Sequence, residues 1–378
     1  MPTSWHLMYK KRALYMHSQQ EESDMREGER TGRANPQKLV EYASQALRKV
    51  GVPKDDADIT AHILVQADLR GVDSHGVAHL YSFYVQGVKK GEINARPNLR
   101  VIRGSPTTAS LDGDRGLGFV VGHTAMSEAI NMARESGSGW VTVYNSTHYG
   151  AGAYYAMMAL EHAMVGFSFT TGGTIVAAPG SVGRTVGANV IAVAAPGGKH
   201  GPFVLDMATS VVAGGKLEIA LREGTTVPEG WAIDKEGHPL TDPKAFPEGG
   251  AILPLGSTIS HGAYKGFGLA LVVDILAGLL SGGGGSLLHR KGGPGHAFGA
   301  LRIDAFPTGG DFMKLMDAMI EKVHAAPTVK GVERVMYPGE RENLIQEERS
   351  RNGIPLHPKI VADLHTMAQE LDIPLDIW

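Results

Sequence analysis

A chain of 378 residues, 43% of them hydrophobic, is long enough for two or three lobes with real cores, which excludes an intrinsically disordered protein. Its 36 Lys and Arg against 39 Asp and Glu leave a formal charge of −3, so no basic surplus exists to hold a nucleic-acid backbone or an anionic membrane. The absence of cysteine excludes disulfides, thiolate nucleophiles and Cys-ligated zinc and suits a cytoplasmic enzyme, while 50 glycines imply many tight turns and close backbone approaches.

Residues 1–35 mix charges without an apolar run or a small-residue cleavage site, so a poorly ordered extension is expected there, not a signal peptide. From Pro36, the residues Leu39, Val40, Ala43, Leu47 and Val50 recur at helical spacing until Gly51 stops the helix. A second helix is expected from about Asp55 to Arg70. Next comes Asp73-Ser74-His75-Gly76, followed by Val77, Leu80, Tyr81, Tyr84, Val85 and Val88 on one helical face. Ser74 then stands where an N-cap belongs and His75 in the first turn, where the helix dipole disfavours an imidazolium and keeps the ring neutral. Such a ring suits polarising or protonating a carbonyl oxygen; a histidine that merely caps a helix is the plainer reading.

The middle third alternates short β-rich runs with helices: Trp140–Tyr144, a helix from about Ala151, then Val165–Thr170, Val190–Ala195, Phe203–Leu205 and a helix from about Ser210. That rhythm belongs to an α/β sheet with ligands at strand ends. Asn145-Ser146-Thr147-His148-Tyr149-Gly150-Ala151-Gly152 follows a strand and opens a helix, so its backbone N–H groups suit a pyrophosphate, with His148 at the rim. The dinucleotide fingerprint fails at its third glycine. Gly116-Leu117-Gly118, with Glu135 downstream, is a weaker candidate still, lacking a clear preceding strand. Asp206-Met207-Ala208-Thr209 places a carboxylate at a strand end, able to orient a histidine or take up a proton, or simply to cap the next helix.

The run Gly266–Gly282 is only 17 residues, with Asp274 at its centre, and reads as a buried core helix instead of a membrane span. Gly282–Gly285 marks a flexible or tightly turned loop. Tyr264-Lys265-Gly266 puts a cation at a helix start, where an anion would answer it, and Pro338-Gly339-Glu340-Arg341 is a turn with both charges. Helices are expected again at Asp311–His324, Glu342–Asn352 and Pro358–Leu371.

Arg70-Gly71, Asp73-Ser74-His75-Gly76-Val77, Asn145–Gly150, Asp206–Thr209, Lys265-Gly266-x-Gly268 and Pro338-Gly339-Glu340, in this order, resemble the type 2 malate/L-lactate dehydrogenase family from about Pro36 to Arg351. The resemblance implies an α/β, non-Rossmann mixed sheet layered with helices, of the sulfolactate dehydrogenase kind, in a homodimer that binds NAD or NADP. It further implies a hydride transfer between that cofactor and a small 2-hydroxy or 2-oxo acid. A cyclic imino acid reductase, or a silent cofactor-binding homologue, is the alternative. By position, Ser74 orients His75, His75 gives the proton, Asp206 is the partner acid–base, and His148 joins them. His148, Tyr149, Gly150, Ala151, Gly152, Lys265, Gly266, Gly339, Glu340 and Arg341 match cofactor-contacting stretches, and Thr170 and Thr171 stand where the family addresses substrate. The implied domains are a mostly helical substrate and dimerisation unit of residues 36–120 with 300–378, and a central cofactor-binding α/β domain of 121–299.

Two departures matter. Four residues after the motif histidine the family commonly has an Arg for the substrate carboxylate, and here stands His79, which lacks the bidentate fork but lies on the same helical face as His75. Residues 257–263 look like a short insertion before Tyr264-Lys265. A metal-dependent hydrolase, suggested by 16 histidines, has no His-Glu-x-x-His spacing behind it, so no metal site is expected.

Overall fold

The computed structural model describes residues 32–288, 293–307 and 310–378, so the larger part of the expected N-terminal extension, residues 1–31, lies outside the described residues. The backbone is already tied down at residue 33. Arg33–Ala34 pairs antiparallel with Ile354–Pro355, and the Asn35 side chain accepts from Gln37 N and Lys38 N to cap the helix Pro36–Lys49. Ordered structure therefore begins before Pro36.

The chain divides into two compact units. One, mostly helical, takes residues 32–86, 197–203 and 311–378. In it Pro36–Lys49 packs on Lys54–Leu69 and on the C-terminal helix Pro358–Leu371, while Glu340–Asn352 packs on Lys54–Leu69. Leu39, Ala43, Leu47, Leu64, Leu364 and Met367, repeating three or four residues apart within their helices, supply its core.

The other unit takes residues 87–196 and 204–310 and is built on a seven-stranded sheet. Its order is Arg100–Ser105, Thr108–Asp112, Ser138–Tyr144, His296–Arg302, Met164–Thr170, Val190–Ala195, Phe203–Ala208. Thr108–Asp112 and Ser138–Tyr144 run parallel, whereas His296–Arg302 is antiparallel to both its neighbours, so the sheet is mixed and not of the Rossmann kind. Alternation along the central strand shows both faces covered. His296 and Phe298 turn toward Tyr149 and Tyr155, while Ala297 packs with Phe169, Val273 and Ala277. A smaller five-stranded sheet, with Val176, Val186, Leu240 and Ile252 in its core, packs with Leu217 of the helix Gly214–Glu223.

Three expectations change. Residues 87–120 and 300–310 belong with the sheet and not with the helical unit, because the first two strands extend the sheet and the central strand runs to Arg302. Residues 197–203 go the other way: Asp317 accepts from Lys199 N, and the Tyr337 hydroxyl donates to the His200 carbonyl. The run Gly266–Gly282 is not a buried core helix. It is an α-helix, Ala263–Val273, passing into a π-helix, Asp274–Leu279, and Leu269, Val272, Ile275, Leu279 and Leu280 are all more than a third exposed. Asp274 is buried and held by Asn189 Nδ2, Ser286 N and Ser286 Oγ, which fixes Gly282–Gly285 as a tight turn.

Candidate active site

In the helical unit, the segment after Arg70 is not the continuous helix that its apolar spacing suggests. It runs as two 3-10 turns, Asp73–His75 and Val77–His79, then a π-helix, Leu80–Val85. Ser74 is accordingly no N-cap: its side chain accepts no capping bond and lies 2.9 Å from His75 Nδ1. The cap is supplied from elsewhere, by Asp68 Oδ2, which accepts from Val77 N at 2.9 Å. His75 is half-buried, and its pKa is lowered to about 4 by burial and by the neighbouring charge of His79. The ring is neutral at pH 7 for that reason and not because of a helix dipole. His79 is exposed and meets Phe83 edge to face; its influence on His75, not an α-helical face, is what relates the two.

Gly339, at φ 91°, opens the helix Glu340–Asn352. Glu340 is not offered to a ribose. Its carboxylate is buried among the Arg334 guanidinium, His324 Nε2 at 3.0 Å and Tyr337 N at 3.2 Å, a structural ion network. Arg341, beside it, is exposed.

In the α/β unit, Asn145–Ala151 leads from the strand Ser138–Tyr144 to the short helix Gly152–Met158. The anion at that helix start is the chain's own: Asp206 Oδ2 accepts from Ala153 N at 2.8 Å. A pyrophosphate at Ala153 N would have to displace that carboxylate, so this N–H is not part of a phosphate cradle. Asp206 caps this helix, distant in sequence, and not the one that follows it. The glycines serve packing, since a Cβ at Gly150 would lie 2.6 Å from the Phe119 ring and one at Gly152 2.9 Å from Tyr149 Oη. Tyr149 is buried, stacked between His296 and Tyr155, with its hydroxyl 3.1 Å from Ser168 Oγ, so its ring is core and not a cofactor contact. His148 remains half-buried at the loop.

Thr170 and Thr171 also point inward, contrary to a substrate role for their side chains. Thr170 Oγ1 is 2.7 Å from His296 Nδ1, and Thr171 Oγ1 accepts from Gly295 N at 3.0 Å. His296, which sequence reasoning misses because it lies in an apolar run without a motif, is fully buried, with Nε2 2.9 Å from Ser146 Oγ. Burial lowers its pKa to about 3. Asp68 escapes notice as well, although a carboxylate in the last turn of a helix, against the dipole, is a signal. The Gly116–Gly118 spacing does follow a strand, Thr108–Asp112, but Gly118 N donates to Thr147 Oγ1, so that helix start is closed too.

Lys265 lies in the first turn of the helix Ala263–Val273, exposed, with its ammonium 5.9 Å from the Tyr264 ring centre. Gly266 is there for close packing: a Cβ would sit 2.3 Å from Leu255 N. The expected insertion is a 3-10 turn, Ile259–His261, after Ser257 at φ 61°. Lys265 in the α/β unit and Arg341 in the helical unit are both exposed cations.

Residues 34–365 match the malate/L-lactate dehydrogenase family. The chain belongs to that family. A malate dehydrogenase of Pyrococcus horikoshii is 43% identical over 89% of this chain and 94% of its own, and an L-sulfolactate dehydrogenase of Methanocaldococcus jannaschii is 35% identical over 90% and 97%. The solved malate dehydrogenase of Entamoeba histolytica superposes with a TM-score of 0.88 at 31% identity, covering 92% of this chain and all of that one. More distant, at 27% identity and a TM-score of 0.79 over 90% of this chain and 100% of that one, is a Δ1-piperideine-2-carboxylate reductase of Pseudomonas syringae. As a member of this family of dehydrogenases, the protein is an oxidoreductase acting on the CH–OH group of small hydroxy acids, with a nicotinamide cofactor.

Proposed function

We propose that the protein interconverts a malate- or lactate-like 2-hydroxy acid and its 2-oxo acid, with His75 as the proton-transferring group. The observation that carries this is the state of His75: a half-buried ring, neutral at pH 7, whose Nδ1 is engaged by Ser74 Oγ, with Nε2 assigned to the substrate in this reading. In the oxidising direction Nε2 takes the hydroxyl proton as the C–H bond breaks and the carbonyl forms; in reduction the imidazolium returns that proton. A bound nicotinamide cofactor would supply the hydride acceptor. Ser74 holds the ring's tautomer and orientation. Asp206, anchored on Ala153 N, holds the start of the helix that follows the His148 loop within the α/β unit.

Lys265 is the cation of the α/β unit proposed to meet a cofactor phosphate. With Glu340 held by Arg334 and His324, Arg341 is the exposed charge on that turn, which favours NADP over NAD. A cyclic imino acid reductase stays as a second reading because a structural relative of that activity shares the fold; His79 in place of an Arg lacks the bidentate fork for either substrate's carboxylate. We also propose a cytoplasmic homodimer that covers the apolar face Leu269, Val272, Ile275, Leu279 and Leu280. Assaying malate, lactate, their 2-oxo acids and a cyclic imino acid with NAD(H) and NADP(H) at 340 nm tests the whole reading. Activity confined to the imino acid selects the second one, and none with any pair refutes both.

A further inference from the structure

The His75 turn is held from beneath by residues that the family resemblance does not single out. Asp68 is 1% exposed, and besides accepting from Val77 N its carboxyl lies flat against Gly76: a Cβ there would be 1.9 Å from Asp68 Oδ1. Arg349, on the helix Glu340–Asn352, donates through Nη1 to both the Asp68 carbonyl oxygen and Asp73 Oδ1, and its Nη2 lies 3.3 Å from Asp73 Oδ2. Backbone bonds from Val72 N to Ala67 O and from His75 N to Val72 O complete the link between the helix end and the turn. The chain on both sides of Ser74–His75 is therefore fixed, at Asp73 by a guanidinium and at Gly76–Val77 by a carboxyl.

We propose that Asp68 is a positioning residue for His75, its buried carboxyl acting with Arg349 as a clamp that fixes the Ser74–His75 turn. The proposal deepens the dehydrogenase reading and rests on it for its effect on turnover. The charged and titratable groups facing this assembly are Asp73 and Arg349 at Asp68, and His79 at His75. Burial and the Asp73 carboxylate push Asp68 well above the usual carboxylate range, and an amide at this position keeps the oxygen that accepts from Val77 N. Without the clamp, water reaches the His75 ring and its depressed pKa climbs back toward the ordinary value.

The test compares Asp68→Ala, Asp68→Asn and Gly76→Ala in the full-length protein. Asp68→Ala should lower kcat 10- to 100-fold with cofactor affinity within twofold, while Asp68→Asn, whose amide oxygen still accepts from Val77 N, should stay within about threefold of wild type. Gly76→Ala, which drives a methyl into the Asp68 carboxyl, should behave like Asp68→Ala and carries the test if that variant fails to fold. A readout independent of activity is the titration of the His75 ring by NMR with ring-labelled histidine, assigned with His75→Gln. The midpoint should rise by at least one pH unit in Asp68→Ala and in Gly76→Ala and stay in place in Asp68→Asn. Unmoved titration with unchanged kcat in both disrupting variants overturns the proposal, as does an Asp68→Asn variant as impaired as Asp68→Ala, which would make the charge the operative feature. A shifted titration in a protein inactive on every substrate keeps the clamp and rejects the dehydrogenase reading instead.

Discussion

Acid should unfold this protein partly through one histidine. His296 is fully buried in the central strand, stacked on Tyr149 at 4.7 Å, with Thr170 Oγ1 and Ser146 Oγ on its two nitrogens. Its pKa is lowered from 6.5 to about 3, so the folded protein leaves it neutral where the unfolded chain protonates it. A depressed value contributes stability that is present above the unfolded pKa and lost as pH falls from about 6.5 toward 3, at about 1.4 kcal/mol per pH unit. Between pH 7 and pH 5 that amounts to about 2 kcal/mol. His296→Gln removes the titration while leaving every other group in place. At pH 7 the variant should be the weaker protein, since a buried stack is lost; by pH 5 the gap between the two should have closed by about 2 kcal/mol. Urea unfolding followed by tryptophan fluorescence at half-unit steps of pH measures it. A gap that stays constant across the range refutes the argument, because it would mean that the folded protein accepts the proton.

Other outcomes concern the site and the exposed apolar face. His75→Ala should reduce turnover by roughly 10²–10⁴-fold, as for a lost acid–base group, and the acid limb of wild-type hydroxy-acid oxidation should lie near pH 4. Because His79 lowers the pKa of His75, His79→Ala should move that limb to higher pH; a pH–rate profile that does not move counts against their coupling. Lys265→Ala should weaken cofactor binding by about tenfold, roughly 1.4 kcal/mol, in a titration of cofactor fluorescence, and unchanged affinity would remove Lys265 from the phosphate site. Leu279→Glu, on the exposed apolar face, should shift sedimentation toward a single chain, whereas an unaltered sedimentation coefficient would place the dimer contact elsewhere.

Much of the fold can be read from spacing, because strands and helices that bury one face announce it. Pro36–Lys49, the strand through Trp140–Tyr144 and Pro358–Leu371 are of this kind. The segment from Val77 to Val88 reads wrongly as one helix because a tighter turn followed by a wider one averages to an α-helical period, leaving the apolar pattern unchanged. Hydropathy likewise cannot separate a core helix from one that shows an apolar face outward, as at Leu269–Leu280. At the candidate site, the motif around His75 is legible, but what holds it is not: Asp68 and Arg349 are 281 residues apart and meet only in the fold. Glu340 and Tyr149 mislead for the converse reason, since a sequence does not show when a polar group already has a partner.

The position of His296–Arg302 in the seven-stranded sheet also orders events during synthesis. This strand lies between Ser138–Tyr144 and Met164–Thr170, yet it is among the last parts of its unit to leave the ribosome. Until it arrives, those two strands each present an open edge, the arrangement most prone to pairing with a neighbouring chain. The sheet cannot grow outward from a finished centre; its halves must wait, and the arriving strand joins them by hydrogen bonds on both sides. A nascent chain stalled before residue 296 would lack that join, and with it the stack of His296 on Tyr149 that anchors the His148 loop.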